Sequence, residues 1–166
     1  MTPRPIVFRV ACVALGLASA MACRSFELPL PSGFAEYEQA PWFELKAANP
    51  DGVRLRVRDF DNDPEGSLEL WAAAVGRHFL DLGYDLQSPI SGEAIRSTDG
   101  TEGRLFRSVR KSGQPTAYWV AIYLKTHLLR RNTIHEVEIY GPVPEFEKQK
   151  AAIEAALSRL RIRTVG

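Results

Sequence analysis

Three acidic residues at alternate positions, Asp59, Asp61 and Asp63, form the first group in this sequence that could do chemistry. Their spacing matches the first three ligand positions of a calcium loop, where closely set carboxylates replace water around a hard cation. The match then fails. The sixth position is Pro64, where the loop needs Gly, and the twelfth is Leu70, where a bidentate Glu should close the shell. A weak calcium site and an acidic strand-to-helix loop both remain open, and the broken pattern favours the loop. His78, His127 and His135 are the only histidines, and no two share an HxH or HxxxH metal spacing. They read as surface or rim side chains. Ser108 and Ser112 would need a His and an acid beside them to act as nucleophiles, and the chain has no GxSxG elbow. Ser91-Gly92 and Ser112-Gly113 read as turns. Neither a P-loop nor a GxGxxG is present to cradle phosphates. No catalytic residue, metal or cofactor is therefore assigned, and the expectation is a protein that is not an enzyme. A hydrolase built on some carboxylate pair is the enzymatic alternative.

Arg54, Arg56 and Arg58 alternate with Val53, Leu55 and Val57, so they form a basic stripe along one strand face. Glu136 and Glu138 alternate on a later strand and could neutralise that stripe across a sheet. Cross-strand pairing is one reading. The other is contact with an anionic partner, for which Arg54, Arg56 and Arg58 are the candidate residues. Trp71, Trp119, Tyr118 and Tyr123 read as core by spacing, and Trp42, next to Pro41, as the tryptophan most open to a partner.

Cys23 is the remaining reactive residue. Arg4 and Arg9 precede an uncharged run from Val10 to Ala22 that ends Ala20-Met21-Ala22-Cys23. A basic start, a short apolar middle and small residues at the cut are the parts of a signal peptide. The run is too short to span a bilayer, which needs roughly 20 residues. The segment resembles the signal peptide of bacterial lipoproteins: Ala22 and Cys23 fit the usual pattern, whereas Ala20 and Met21 depart from it. An ordinary secretory peptide with an A-x-A site would cut at the same bond. The resemblance implies acylation of Cys23, with more than one chain and hence stable anchoring. It places the protein in the cell envelope, on a membrane facing the periplasm. Arg24 after the cysteine leans toward the outer membrane, because lipoproteins held at the inner membrane commonly carry Asp there.

Composition narrows the partners. The chain of 166 residues carries 21 basic and 20 acidic side chains, and loss of Arg4 and Arg9 tips the balance to slightly acidic. Nucleic acid, which asks for a strongly basic face, is not an expected partner. Cys12 leaves with the signal peptide and Cys23 takes the lipid, so no disulfide, cysteine metal site or thiol catalysis is expected.

The elements that must position these residues follow from periodicity. Residues 1–22 read as signal peptide, 23–33 as a tether broken by Pro29 and Pro31, and 34–166 as one domain. Trp42 to Ala47 and Val53 to Phe60 flank the turn residues Asn49-Pro50-Asp51-Gly52 and read as a hairpin. Asp63 and Pro64 read as the N-cap and first residue of a helix. Leu68, Trp71, Val75, Phe79 and Leu82 recur at helical spacing, and Gly83 ends the helix. Glu93 to Ser97, Arg104 to Lys111, Ala117 to Leu124 and Thr133 to Tyr140 read as further strands, and Ala117 to Leu124, apolar on both alternating faces, as one covered on both. A last helix runs from about Pro144 to Leu160, with Phe146, Ile153, Leu157 and Leu160 on one face.

That order predicts an α+β fold, an antiparallel β-sheet flanked by helices in an α/β/α sandwich. Together with Pro31-Ser32-Gly33-Phe34 and Gly83-Tyr84, the order resembles the PsbP-like fold over roughly Gly33 to Arg163. Relatives of that shape include the extrinsic photosystem II subunit, a Ran-binding nuclear import factor and bacterial lipoproteins. The resemblance implies a non-enzymatic scaffold or binding module, here with another envelope protein as its partner. A periplasmic carrier of a small molecule or lipid, its ligand unknown, is the alternative.

Overall fold

The computed structural model describes residues 25–37, 44–127 and 131–163. Cys23, the signal segment and Trp42 lie outside the described residues. In chain order the elements are β1 (Phe26–Glu27), β2 (Ala35–Glu36), β3 (Leu45–Ala48), β4 (Arg54–Asp61), α1 (Leu68–Asp81), β5 (Asp85–Leu86), β6 (Glu93–Arg96), β7 (Glu102–Arg110), β8 (Thr116–Lys125), β9 (Thr133–Pro142), α2 (Val143–Leu157) and β10 (Arg161–Ile162).

Strand β8 is apolar on both alternating faces, and it sits near the middle of the main sheet, where both faces are covered. The sheet runs β2-β3-β4-β9-β8-β7-β5, with β6 also paired to β7, and all its pairings are antiparallel. Val120 and Ile122 point to one side, where Phe106 meets Leu68, Ala72 and Phe79 of α1. Trp119, Ala121 and Tyr123 point to the other, where Val137, Ile139, Leu55 and Val57 meet Phe146, Ile153 and Leu157 of α2. The expected α/β/α sandwich is thus the observed one.

Helix α1 ends as expected, with Gly83 at positive φ just past its C-cap, but it departs from expectation at its start. It starts at Leu68, capped by Ser67, whose Oγ accepts the Leu70 N–H at 3.3 Å. Asp63 and Pro64 are not its cap and first residue. The chain before Ser67 is folded around Asn62, whose amide oxygen accepts the Gly66 N–H at 3.0 Å and Trp71 Nε1–H at 2.7 Å. Leu82 is exposed at the C-cap, and small residues fill the helix's inner face instead. At Gly76 a Cβ would stand 1.9 Å from the Ile90 carbonyl oxygen, so only glycine allows that approach.

The second departure lies at the N-terminus. Phe26 pairs with Ile162 and Glu27 with Arg161, forming a two-stranded sheet of β1 and β10. Phe26 is buried, and Leu28, Leu30 and Phe34 pack on the core shared with α2. The prolines forbid a helix there but do not prevent side chains from covering β3 and β4. Part of the segment read as a tether is therefore packed on the domain.

Candidate functional site

The arginine stripe is the starting point. Arg54, Arg56, Arg58 and Phe60 project to the α1 side of β4, directly opposite Tyr140, Glu138, Glu136 and Ile134 of β9. Helix α1 packs on β5, β7 and β8, so β4 and β9 form the half of this sheet face that lies beyond the helix. Arg58 brings Nε and Nη2 onto Glu136 Oε1, at 2.9 and 2.7 Å, and reaches Glu138 Oε1 at 3.4 Å. Arg56 lies over the Tyr140 ring at 5.0 Å. Tyr140 in turn stacks on Tyr118, with centroids 5.5 Å apart and planes 22° from parallel. Tyr84 and Phe79 continue the aromatic row toward α1.

The electrostatics differ from a plain basic stripe. Glu136 and Glu138 are only 8% and 9% exposed. Burial, helped by a hydrogen bond with Glu138, raises Glu136 to about pH 7 against the opposing pull of Arg58. Partial burial and the charges of Glu138 and Glu136 push the Tyr118 hydroxyl, which is hydrogen-bonded to Glu138, well above the ordinary tyrosine range. Arg58 is therefore engaged in cross-strand pairing, and the stripe is in part neutralised. What is left is a polar and aromatic face with charged arginine rims.

A second polar cluster sits below β4 and β9 on the opposite side. Ser25 donates both its N–H, at 3.2 Å, and its Oγ–H, at 3.0 Å, to Glu44 Oε2. Ser25 Oγ also lies 3.5 Å from His135 Nδ1. Burial and the neighbouring Asp59 raise Glu44 to about 7, and burial lowers His135 to about 4. His135, expected at the surface, is 2% exposed, because β9 places it opposite Asp59 and under the N-terminal segment. Sequence reasoning missed this cluster; its members are spread over residues 25 to 135 with no motif to join them.

The other singled-out residues do not converge. Asp59 and Asp61 belong to β4 rather than to a loop, and Asp63 pairs with Arg131 at 2.5 Å. The three are thus not gathered as calcium ligands, and no group of three metal-ligating side chains occurs among the described residues. Ser108 is buried and donates to the Tyr118 carbonyl at 2.7 Å; Ser112 accepts from Arg110 at 3.1 Å. Neither hydroxyl has a histidine partner. His78 is exposed on α1, and His127 Nε2 lies 3.2 Å from Thr133 Oγ1.

The arrangement of strands and helices has counterparts among solved structures. The crystal structure of LpqN, involved in cell envelope biogenesis of Mycobacterium tuberculosis, superposes with a TM-score of 0.61 at 12% identity. That match covers 84% of this chain and 83% of LpqN. The solution structure of cyanobacterial PsbP (CyanoP) from Synechocystis sp. PCC 6803 gives a TM-score of 0.59 at 14% identity, over 83% of this chain and 86% of CyanoP. The fold is PsbP-like. No protein-family model matches the sequence, and no curated protein matches it.

Proposed function

We propose that this chain is a non-catalytic lipoprotein of the bacterial cell envelope, anchored through Cys23 and facing the periplasm, whose domain holds another envelope protein. The observation that carries this reading is the N-terminal sequence ending in Ala22-Cys23, joined to a domain with the fold of the envelope-biogenesis protein LpqN. The face of Arg54, Arg56, Arg58, Tyr118 and Tyr140 supplies the contact surface. Arginine and tyrosine are the side chains that anchor protein interfaces, because each brings a large flat surface together with a polar tip. Two measurements test the reading. The mass of the mature N-terminal peptide from host membranes should carry acyl chains on Cys23. A photocrosslinking residue at Arg54, in intact cells, should trap a discrete envelope protein. An unmodified Cys23 in the soluble fraction removes the anchor, and crosslinking no higher than at an exposed control such as Ser112 removes the scaffold.

One observation favours the carrier reading instead. A recess of about 510 Å³ opens between the N-terminal segment and the C-terminal strand, lined by Phe26, Leu28, Pro29 and Leu30 together with Glu27, Glu36, Arg159 and Arg163, of which Glu27 and Arg163 pair with each other. Its size falls within the usual range of ligand sites, roughly 300–1,000 Å³. A native mass spectrum that retains a small amphiphile, lost when Leu30 is changed to Asp, would give this reading precedence.

A further inference from the structure

A single residue, Arg24, separates the proposed lipid site at Cys23 from Ser25, and Ser25 is already part of the fold. It is 6% exposed, its N–H and hydroxyl both go to Glu44, and its carbonyl accepts the Arg163 N–H at 2.7 Å. Phe26 follows as a buried strand residue paired with Ile162. The two Cα-to-Cα steps from Cys23 to Ser25 reach about 7 Å at full extension. We propose that the domain has no free tether, and that the end of the sheet bearing Ser25 is held flush against the bilayer. This rests on the lipid-anchor reading above and adds the orientation.

The surface that meets the membrane follows from strand register. Asp59 and His135 stand level with Ser25, next to Glu44 and the Ser25 hydroxyl. Strands β4, β8 and β9 run two residues further, to Asp61, Lys125 and Thr133. At about 3.4 Å per residue they project about 7 Å beyond that level, which is as far as the chain to Cys23 can reach. The loops at Asn62–Gly66 and at Arg131 therefore touch headgroups. The opposite end, with the Asn49–Gly52 turn and Ser112, points away. The Arg and Glu face on β4 and β9 then stands upright to the membrane plane, accessible from the side. The described charges at the membrane end include Asp63, Glu65 and Arg131, with Asp63 and Arg131 paired to each other. The contact is set by covalent reach rather than by charge.

The test uses the full-length lipidated protein in phosphatidylcholine vesicles containing a headgroup-attached quencher. A fluorophore is placed on Arg131→Cys or on Ser112→Cys, and the mass of the N-terminal peptide is read on the same sample. The expected result is acylated Cys23, quenching at least about threefold stronger at position 131 than at 112, and no change from low to high salt. A Gly/Ser insert of roughly ten residues between Arg24 and Ser25, with a reach of roughly 17 Å, should bring the two positions together. Equal quenching on acylated protein overturns the orientation and leaves the anchor standing. A difference that survives the insert also overturns it, since some surface other than the short link would then set the pose. Cys23 without acyl chains overturns both readings.

Discussion

Arg58 and Glu136 meet across β4 and β9 with two guanidinium nitrogens on one carboxylate oxygen, while Glu138 Oε1 lies 3.4 Å from Arg58 Nη2. One cation thus serves two carboxyl groups that are each less than a tenth exposed. Removing the arginine leaves both with no opposite charge in this contact. Breaking a fully buried pair costs about 3–5 kcal/mol. Arg58 keeps 43% of its side chain in solvent, so we expect Arg58→Met to cost about 1–2 kcal/mol, after that discount for screening. Glu136→Gln keeps the accepting oxygen and should be within about 0.5 kcal/mol of wild type at pH 6. Urea unfolding of the two variants checks the order.

The raised groups predict the shape of the pH profile. Glu44 and Glu136 hold their protons to about pH 7 in the fold, against an ordinary value of 4.5. Between those values the folded state binds more protons than the unfolded chain, so stability falls as pH rises through the window. His135 acts the other way: with its value lowered from 6.5 to about 4, its contribution grows as pH rises to 6.5 and is complete above it. Above pH 6.5 only the two glutamates remain, and the melting temperature should drop between pH 6.5 and 7.5. In Glu44→Gln/Glu136→Gln that drop should vanish. A wild-type melting temperature that is flat or rising over this interval would count against the raised values.

The start of α1 separates two capping residues. Ser67 holds the Leu70 N–H, whereas Asp63 points to Arg131. Ser67→Ala should cost about 1 kcal/mol, the usual effect of losing an N-cap. Asp63→Ala, which removes one exposed ion pair, should cost no more than about 0.5 kcal/mol. Thermal unfolding of both variants decides between them.

How much of this was legible depended on whether the pattern was local. Leu55 and Val57 against Arg56 and Arg58 fixed the faces of β4, because period-two alternation is a property of one strand. The two-faced apolar run of β8 predicted its cover of helices on both sides for the same reason. The burial of Glu136 and Glu138 was not legible: alternation placed them on the right face, but only the register with Arg58 and the Tyr118–Tyr140 stack shields them from water. Nor could the sequence show Ser25 next to Glu44 and His135, since that contact depends on β1 pairing with the far C-terminal β10. Pro29 and Pro31 disguised the segment as a linker by removing any helical or strand period.

Phe26 measures that last point. If residues 23–33 were a free tether, Phe26→Ala would be silent. Because the ring is 4% exposed in the main core, we expect a loss of about 3–5 kcal/mol, the usual range for a buried Phe cut back to Ala. Deleting residues 25–30 should destabilise the domain at least as much, by uncovering the apolar side of β3 and β4. Guanidinium unfolding of the purified domain reads both.

Asp99 ties the other strand of that same sheet pair, at Ile162 opposite Phe26. Its Oδ1 accepts Ser97 Oγ–H and the Ile162 N–H, each at 2.8 Å, and its Oδ2 accepts Thr101 Oγ1–H at 2.6 Å and Lys125 Nζ at 2.8 Å. Burial alone would raise this carboxyl, yet the four donors outweigh it and hold it far below the ordinary range. A lowered carboxyl contributes stability that is complete above pH 3.8 and is lost as pH falls below it. Asp99→Ala removes the acceptor of the Ile162 amide and leaves Lys125 only the Thr101 hydroxyl, with no carboxylate. We expect it to cost about 2–4 kcal/mol, as charged hydrogen bonds and an unpaired buried group together imply. Asp99→Asn, which keeps one carbonyl oxygen, should cost about half as much. The local readout is amide exchange at Ile162. It should speed up in Asp99→Ala by more than the global loss of stability accounts for, because the Ile162 N–H then loses its acceptor and β10 is held by β1 and by Thr98 on the Leu160 carbonyl. If exchange at Ile162 stays at the global rate, the strand is fixed by Phe26 and Ile162 packing, and Asp99 serves only its own turn.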